Sequence, residues 1–179
     1  MYVNGKKVGE LNRQENKFEM DIEIPFNATL ELLVENMGRI NYGADVVHNA
    51  KGIIAPVVLG GFNVTGGWSM YKLPFDKVPD LAKYTVKNRE GMPTLYSGSF
   101  EAKQTGDVFL DMRGWGKGIV FVNGHNLGRY WKVGPQQTLY LPGCWLNKGK
   151  NEVVVLEQQN DVLQKELKTT DKPILESVQ

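Results

Sequence analysis

Two glutamates recur at matching places in this sequence. Glu35 closes the run Leu32-Leu33-Val34-Glu35-Asn36, and Glu157 closes Val154-Val155-Leu156-Glu157-Gln158. A carboxylate pair is the usual equipment for glycoside hydrolysis, one group donating a proton and the other acting as nucleophile or base. That chemistry needs both groups to face one substrate, whereas residues repeated in two modules hold equivalent places in each and need not meet. Their position at the ends of buried strands predicts a structural role instead, accepting hydrogen bonds from loop amides. Asp107 and Asp111 fall on the polar side of an alternating strand, where solvation is the expectation.

The remaining reactive residue types do not assemble into machinery. His48 and His125 are far apart and belong to no metal-ligand motif, so no metal site is expected. There is no Gly-x-Ser-x-Gly elbow, and Gly60-Gly61 and Gly114–Gly118 match neither the P-loop nor the dinucleotide fingerprint, so no cofactor is expected. The single cysteine, Cys144, cannot form an intrachain disulfide and reads as a small apolar residue. Aromatic rings are more informative. Trp115 and Trp131 lie beside glycines and are the candidates for stacking on the apolar face of a sugar, although rings in such settings more often pack in a core. Asn41 and Tyr42, after the bend Asn36-Met37-Gly38-Arg39, make the best polar and aromatic cluster, with Arg39 a candidate clamp on loop carbonyls or a carboxylate.

Strands must position these groups. Tyr2-Val3-Asn4-Gly5-Lys6-Lys7-Val8-Gly9 returns as Phe121-Val122-Asn123-Gly124-His125-Asn126-Leu127-Gly128. Asn-Gly supplies the two positive-φ positions of a type I′ turn, so each copy predicts a β-hairpin and the repeat predicts two related modules. Phe18, Met20, Ile22 and Ile24 alternate with acidic residues as a half-wet strand does. Val108–Met112 alternates similarly, while Leu30–Val34, Ile53–Leu59, Ile119–Val122, Thr138–Leu141 and Glu152–Leu156 read as more fully buried strands between glycine and proline punctuation. Many short strands with few helices imply a sandwich or jelly roll. Pro74, Pro79 and Pro93 bracket Asp80–Glu90, a polar stretch able to hold one short helix. Residues 160–179, polar with isolated Leu163, Leu167, Ile174 and Leu175, read as a frayed tail or a late edge strand.

Composition narrows the partners. With 41% hydrophobic and 23% charged residues and a net charge of +1, the chain has no field to attract nucleic acid or an anionic membrane. It lacks the apolar run of a signal peptide or a membrane span, so a soluble protein is expected. That expectation leaves the compartment open.

Long motifs then point to a family. Leu33-Val34-Glu35-Asn36-Met37-Gly38-Arg39-Ile40-Asn41-Tyr42-Gly43, followed by Lys51-Gly52-Ile53, resembles the first β-domain of family 35 β-galactosidases. Gly114-Trp115-Gly116-Lys117-Gly118, then Val122–Trp131 and Gly134–Tyr140, resembles the last β-domain of the same enzymes. The resemblance covers most of residues 1–158, in the family's order. It implies an all-β chain, a tandem β-sandwich of galactose-binding-like jelly-roll type with the first module incomplete at its N-terminus. Residues 1–75 would be the partial first domain, 76–93 a linker, and 94–179 the second jelly roll. The same resemblance implies a parent that hydrolyses terminal β-galactosyl residues with retention, using two glutamates on a (β/α)8 barrel that this chain lacks. The chain would then be inactive alone, with the catalytic barrel as its partner. Tyr42 would lean over the barrel's galactose pocket and act as a substrate-site residue only together with it. A parent in a secreted, periplasmic or lysosomal-like compartment is consistent with that implication.

Two other functions fit the residues. A freestanding carbohydrate-binding module would take a galactoside on an exposed Trp115 or Trp131, and a structural interaction domain would show a broad apolar face without a sugar cleft. A first module lacking part of its sheet should also expose unpaired strand edges and apolar surface, favouring self-association.

Overall fold

The computed structural model describes residues 1–36, 38, 40–83, 91–159 and 166–175, and they are all-β apart from short 3-10 turns. The chain divides into two compact units, Met1–Tyr71 and Lys72–Gln179.

The first unit is built around its Asn-Gly hairpin. Strands β1 (Tyr2–Val3) and β2 (Lys6–Lys7) pair antiparallel, with Tyr2 opposite Lys7 and Val3 opposite Lys6. Asn4 and Gly5, at φ 51° and 72°, occupy the two left-handed positions that this tight turn demands. Strand β3 (Leu30–Glu31) joins the other side of β1, with Leu30 opposite Val3, giving the order β2-β1-β3. Farther on, β4 (Val58–Leu59) and β5 (Phe62–Asn63) form a separate hairpin across Gly60-Gly61. Val3 is the one described hydrophobic residue of this unit that is fully buried.

Several expected strands here are shorter or absent. Residues 18–25 run without a ladder, and Phe18 is 66% exposed. Alternation marks a segment able to bury one face, but a strand also needs a neighbour to bond its backbone, and none of the described residues supplies one. Leu30–Val34 is reduced to Leu30–Glu31, and Ile53–Leu59 to Val58–Leu59, for the same reason.

The second unit is a two-layer sandwich. Strands β6 (Thr94–Ala102), β8 (Lys117–Val122), β9 (His125–Trp131) and β11 (Gly149–Glu157) make one sheet, ordered β6-β11-β8-β9. The second sheet, β10-β7-β12, is made by β7 (Val108–Asp111), β10 (Thr138–Leu141) and β12 (Lys168–Thr170). All pairings are antiparallel. Between the sheets lie Leu110 and Met112 from one side, Leu139 and Leu141 beside them, and Val120, Val122, Tyr130 and Val155 from the other. Each buried aliphatic chain of this size is worth about 1.5–3 kcal/mol, so this cluster is the main source of the unit's stability.

The two central strands carry nearly continuous apolar runs because both of their faces are covered. Phe121, Val154 and Leu156 point away from the main core yet are buried too. Asn126, the cross-strand neighbour of Phe121, donates through Nδ2 to the Phe75 carbonyl at 2.7 Å. The segment leading into this unit is thereby tied to the β9 side of the sheet. Of the stretch Asp80–Glu90, Leu81–Lys83 is a 3-10 turn and 84–90 lie outside the described residues. In the C-terminal region, Lys168–Thr170 is an edge strand on β7, and Leu175 bridges Gln136, while Leu163 lies outside the described residues.

Candidate functional site

Tyr42 sits on a loop whose ends are held by asparagine side chains. Asn36 Oδ1 accepts from the Gly38 amide at 3.0 Å, and Asn49 Oδ1 accepts from the Ile40 amide at 3.4 Å. Gly43, at φ 99°, then turns the chain into the short 3-10 segment Ala44–His48. These local bonds present Tyr42 with 90% of its surface exposed. Asn41 beside it is exposed as well, and Arg39 lies outside the described residues. A phenol and an amide on a braced loop can hydrogen-bond and stack against a sugar. They cannot by themselves supply the acid and nucleophile of hydrolysis.

The two tryptophans part company. Trp115 is 5% exposed and belongs to the core, with Tyr96 edge-on at 5.3 Å and Tyr130 edge-on at 6.4 Å between ring centroids. Its faces are used by protein, so it is a packing residue and no platform for a sugar. Trp131 remains partly exposed, but Lys117 Nζ stands 4.1 Å from its ring centroid, a cation-π contact that occupies one face. A ligand stacking there has only the other face. Trp145 is stacked at 4.5 Å on His125, with the planes 8° apart.

Glu157 has the structural role expected of it. The carboxylate is 1% exposed and its two oxygens are saturated by donors. Oε1 accepts from the amides of Lys117 at 3.0 Å and Gln159 at 2.8 Å; Oε2 accepts from the Gly116 amide at 2.7 Å and the Tyr130 hydroxyl at 3.1 Å. Such a group stitches the entry of β8 to the end of β11 and has no lone pair directed at a substrate. Burial first, and then the neighbouring Glu157 charge, push the Tyr130 phenol far above its ordinary range. Gly118 completes the arrangement, since a side chain there would collide with the Leu156 carbonyl and approach the Tyr130 hydroxyl at 2.7 Å. Glu35 is half-buried in the first unit.

Asp107 and Asp111 are not merely solvated. Asp107 accepts from the Gly143 amide at 2.8 Å and the Tyr140 hydroxyl at 2.7 Å, and these bonds hold its carboxyl below the ordinary value. Arg113 grips Asp111, with Nη2 2.7 Å from Oδ2 and Nε 3.0 Å from Oδ1, which lowers that carboxyl too. This pair sits in a groove of about 350 Å³ lined by Asp111, Arg113, Glu166 and Lys168, a place that no motif in the sequence marks. A one-residue gap between Asp111 and Arg113 was the available signal. Their neighbour Lys168 comes from the distant edge strand, where Glu166 Oε1 lies 2.9 Å from its ammonium.

Both units match profiles of β-galactosidase domains. The one described as "Beta-galactosidase, first all-beta domain" matches residues 1–74, and the one described as "Beta-galactosidase, galactose-binding domain" matches residues 93–151. This chain belongs to the β-domain region of the family 35 β-galactosidases. Among curated relatives, human "Beta-galactosidase-1-like protein 2" is 38% identical over 164 residues, covering 88% of this chain and 26% of the relative. "Beta-galactosidase 17" of Arabidopsis thaliana is 39% identical over 170 residues, covering 84% and 24%. The "Beta-galactosidase" of Xanthomonas manihotis is 39% identical over 142 residues, covering 79% and 23%. The chain thus spans about a quarter of the length of the curated relatives it matches. In these β-galactosidase domains, among the described residues, no helix is long and apolar enough to cross a membrane.

Proposed function

We propose that this chain is a non-catalytic β-sandwich region of a β-galactosidase, bracing a catalytic barrel and lending Tyr42 to the rim of its galactose pocket. The parent activity under this reading is retaining hydrolysis of terminal β-galactosyl residues. One observation carries it: the first unit leaves its large apolar side chains in water. Phe26 and Met70 are 95% and 93% exposed, and Val47, Phe62 and Tyr71 are nearly as open. A domain designed to stand alone buries such residues, because each contributes stability only when removed from water. A neighbouring catalytic body would cover this surface and set Tyr42 at its pocket.

Assayed alone on an aryl β-galactoside, the chain turns over no substrate; turnover that travels with the purified chain through every column ends this reading. Hydrogen exchange gives the second arm. Amides of residues 1–71 exchange fast in the isolated chain and become protected when the chain is mixed with the catalytic region of a β-galactosidase relative. Unchanged exchange would count against bracing. The carbohydrate-binding alternative is left with the open face of Trp131, and it is favoured only if millimolar galactoside shifts the Trp131 indole resonance while leaving that of Trp115 in place.

A further inference from the structure

We infer that strand β6 is a self-recognition edge through which two copies of this chain pair antiparallel about Gly98, joining their four-stranded sheets into one. Among the described residues β6 pairs only with β11, and Ser97, Gly98, Ser99 and Glu101 are exposed along it. A nine-residue edge is a long template for a further strand, and proteins that stay apart blunt such edges with lysine, proline, bulges or coverage.

The other edges of this sandwich carry those devices. β9 has a bulge beside it at Val120/Phe121, bears Arg129, and is tied to Phe75 through Asn126. β12 is three residues long and begins with Lys168. β10 is four residues long. Thr94-Leu95-Tyr96-Ser97-Gly98-Ser99-Phe100 has no charge and no proline.

The occupant is identified by the order of the side chains. Tyr96-Ser97-Gly98-Ser99-Phe100 reads the same in both directions by residue class: aromatic, serine, glycine, serine, aromatic. A two-fold axis at Gly98 places Tyr96 opposite Phe100 of the second copy and Ser97 opposite its Ser99. All nine strand residues then pair, and the interface is isologous as two-fold symmetry requires. Tyr96 and Phe100 both pack against the main core, so period-two alternation puts them on the inner face and Ser97 and Ser99 on the outer one. Across the axis the aromatic pair continues the core, and the serines can exchange hydrogen bonds. Glu101 meets Leu95 rather than its own copy, so no like charges oppose each other. Gly98 at the centre leaves room for the two backbones to approach. This inference does not depend on the catalytic partner proposed above.

Sedimentation equilibrium of the full chain from about 10 to about 500 µM, the range suited to an interface below about 1,200 Å², tests it. The wild type moves from monomer to dimer across that range. Two variants use the predicted register. Ser97→Lys with Ser99→Lys sets lysine against lysine on both sides of the axis, and the dimer weakens by about tenfold or more. Ser97→Lys with Ser99→Glu sets lysine against glutamate at the same positions, and the dimer holds at least as well as in the wild type. Both changes fall on exposed side chains, and circular dichroism verifies that each variant is folded. A wild type monomeric throughout, or a doubly lysine-substituted chain that dimerises as tightly as the wild type, overturns the inference. So does loss of the dimer in the lysine–glutamate variant, since that would place the two serines elsewhere than opposite each other.

Discussion

Replacing Glu157 with glutamine keeps the shape of the side chain and removes its charge and one of its two acceptors. In the wild type the carboxylate receives three amides and one phenol. Orienting the new amide nitrogen toward Lys117 and Gln159 would set it against two backbone donors. The less costly orientation keeps the glutamine oxygen on those two amides and turns the nitrogen toward Gly116 and Tyr130. Tyr130 can adapt, because its hydroxyl also lies 3.2 Å from the Leu156 carbonyl and can donate there while accepting from the new nitrogen. The Gly116 amide cannot. One donor is then left facing another donor, at about 1–3 kcal/mol, and two bonds to a charged acceptor become neutral ones at several tenths each. The expected loss for Glu157→Gln is about 2–4 kcal/mol, or a fall of roughly 10–20 °C in Tm for a domain of this size. Glu157→Ala abandons all four donors and opens a cavity, at about 4–5 kcal/mol or more, a large share of a typical domain's total stability. Urea unfolding followed by near-ultraviolet circular dichroism reads both. A glutamine variant within about 0.5 kcal/mol of wild type would show that the buried carboxylate does not hold β8 to β11, and the reasoning would fail.

The hairpin asparagines should differ in weight. Asn123→Ala removes side-chain bonds to the Glu152 amide, the Trp145 carbonyl and Asn151, and strains a residue at φ 49°, lowering stability by about 2–4 kcal/mol in urea unfolding. Asn4→Ala carries the same left-handed strain, at φ 51°, but loses only one exposed bond, to the Thr29 amide, and should cost about 1–2 kcal/mol. Asp111, held low by Arg113, contributes stability that is present above the unfolded value of about 3.9 and disappears as pH falls through the lower folded value. The stability gap between wild type and Asp111→Asn should therefore narrow below about pH 4, and a gap constant with pH would contradict the pairing. Tyr130, raised by burial, stays protonated in the folded chain while the unfolded chain ionises above about pH 10, so alkali destabilises the fold. Absorbance titration at alkaline pH should be the same for folded wild type and folded Tyr130→Phe, and an extra ionising tyrosine in the wild type would refute this.

What could be read from the sequence was what has a local cause. Asn-Gly forces its own turn, so both hairpins were visible. The runs around Val108, Ile119, Thr138 and Val154 became strands because each is apolar enough to be buried wherever it lies. Glu157 was legible because a carboxylate repeated at the end of an apolar strand implies a repeated backbone task. Causes remote in sequence were not legible. Phe18–Ile24 has the alternation of a strand, but the pattern carries no information about a neighbour. Trp115 and Trp131 look alike between glycines; what separates them is Tyr96, Tyr130 and Lys117, brought in by the sheet. Asn151 gave no signal at all. It is fully buried, donates to the Asn147 and Gly149 carbonyls, and accepts from the Asn147 amide and Asn123.

Asn4 and Asn123 act on a distant strand in the same way. Each donates its backbone amide to a carbonyl and accepts, through Oδ1, the amide of that same residue: Thr29 for Asn4, Glu152 for Asn123. The partner lies 25 residues away in one unit and 29 in the other. A contact that chooses its partner by geometry, whatever the length of chain between, frees the loops of that chain from setting the register. The loops within residues 5–28 of one unit, and those between β9, β10 and β11 of the other, can then differ in length and surface while each hairpin keeps its partner. Two units can in this way present different surfaces while a single amide side chain keeps the hairpin of each in register.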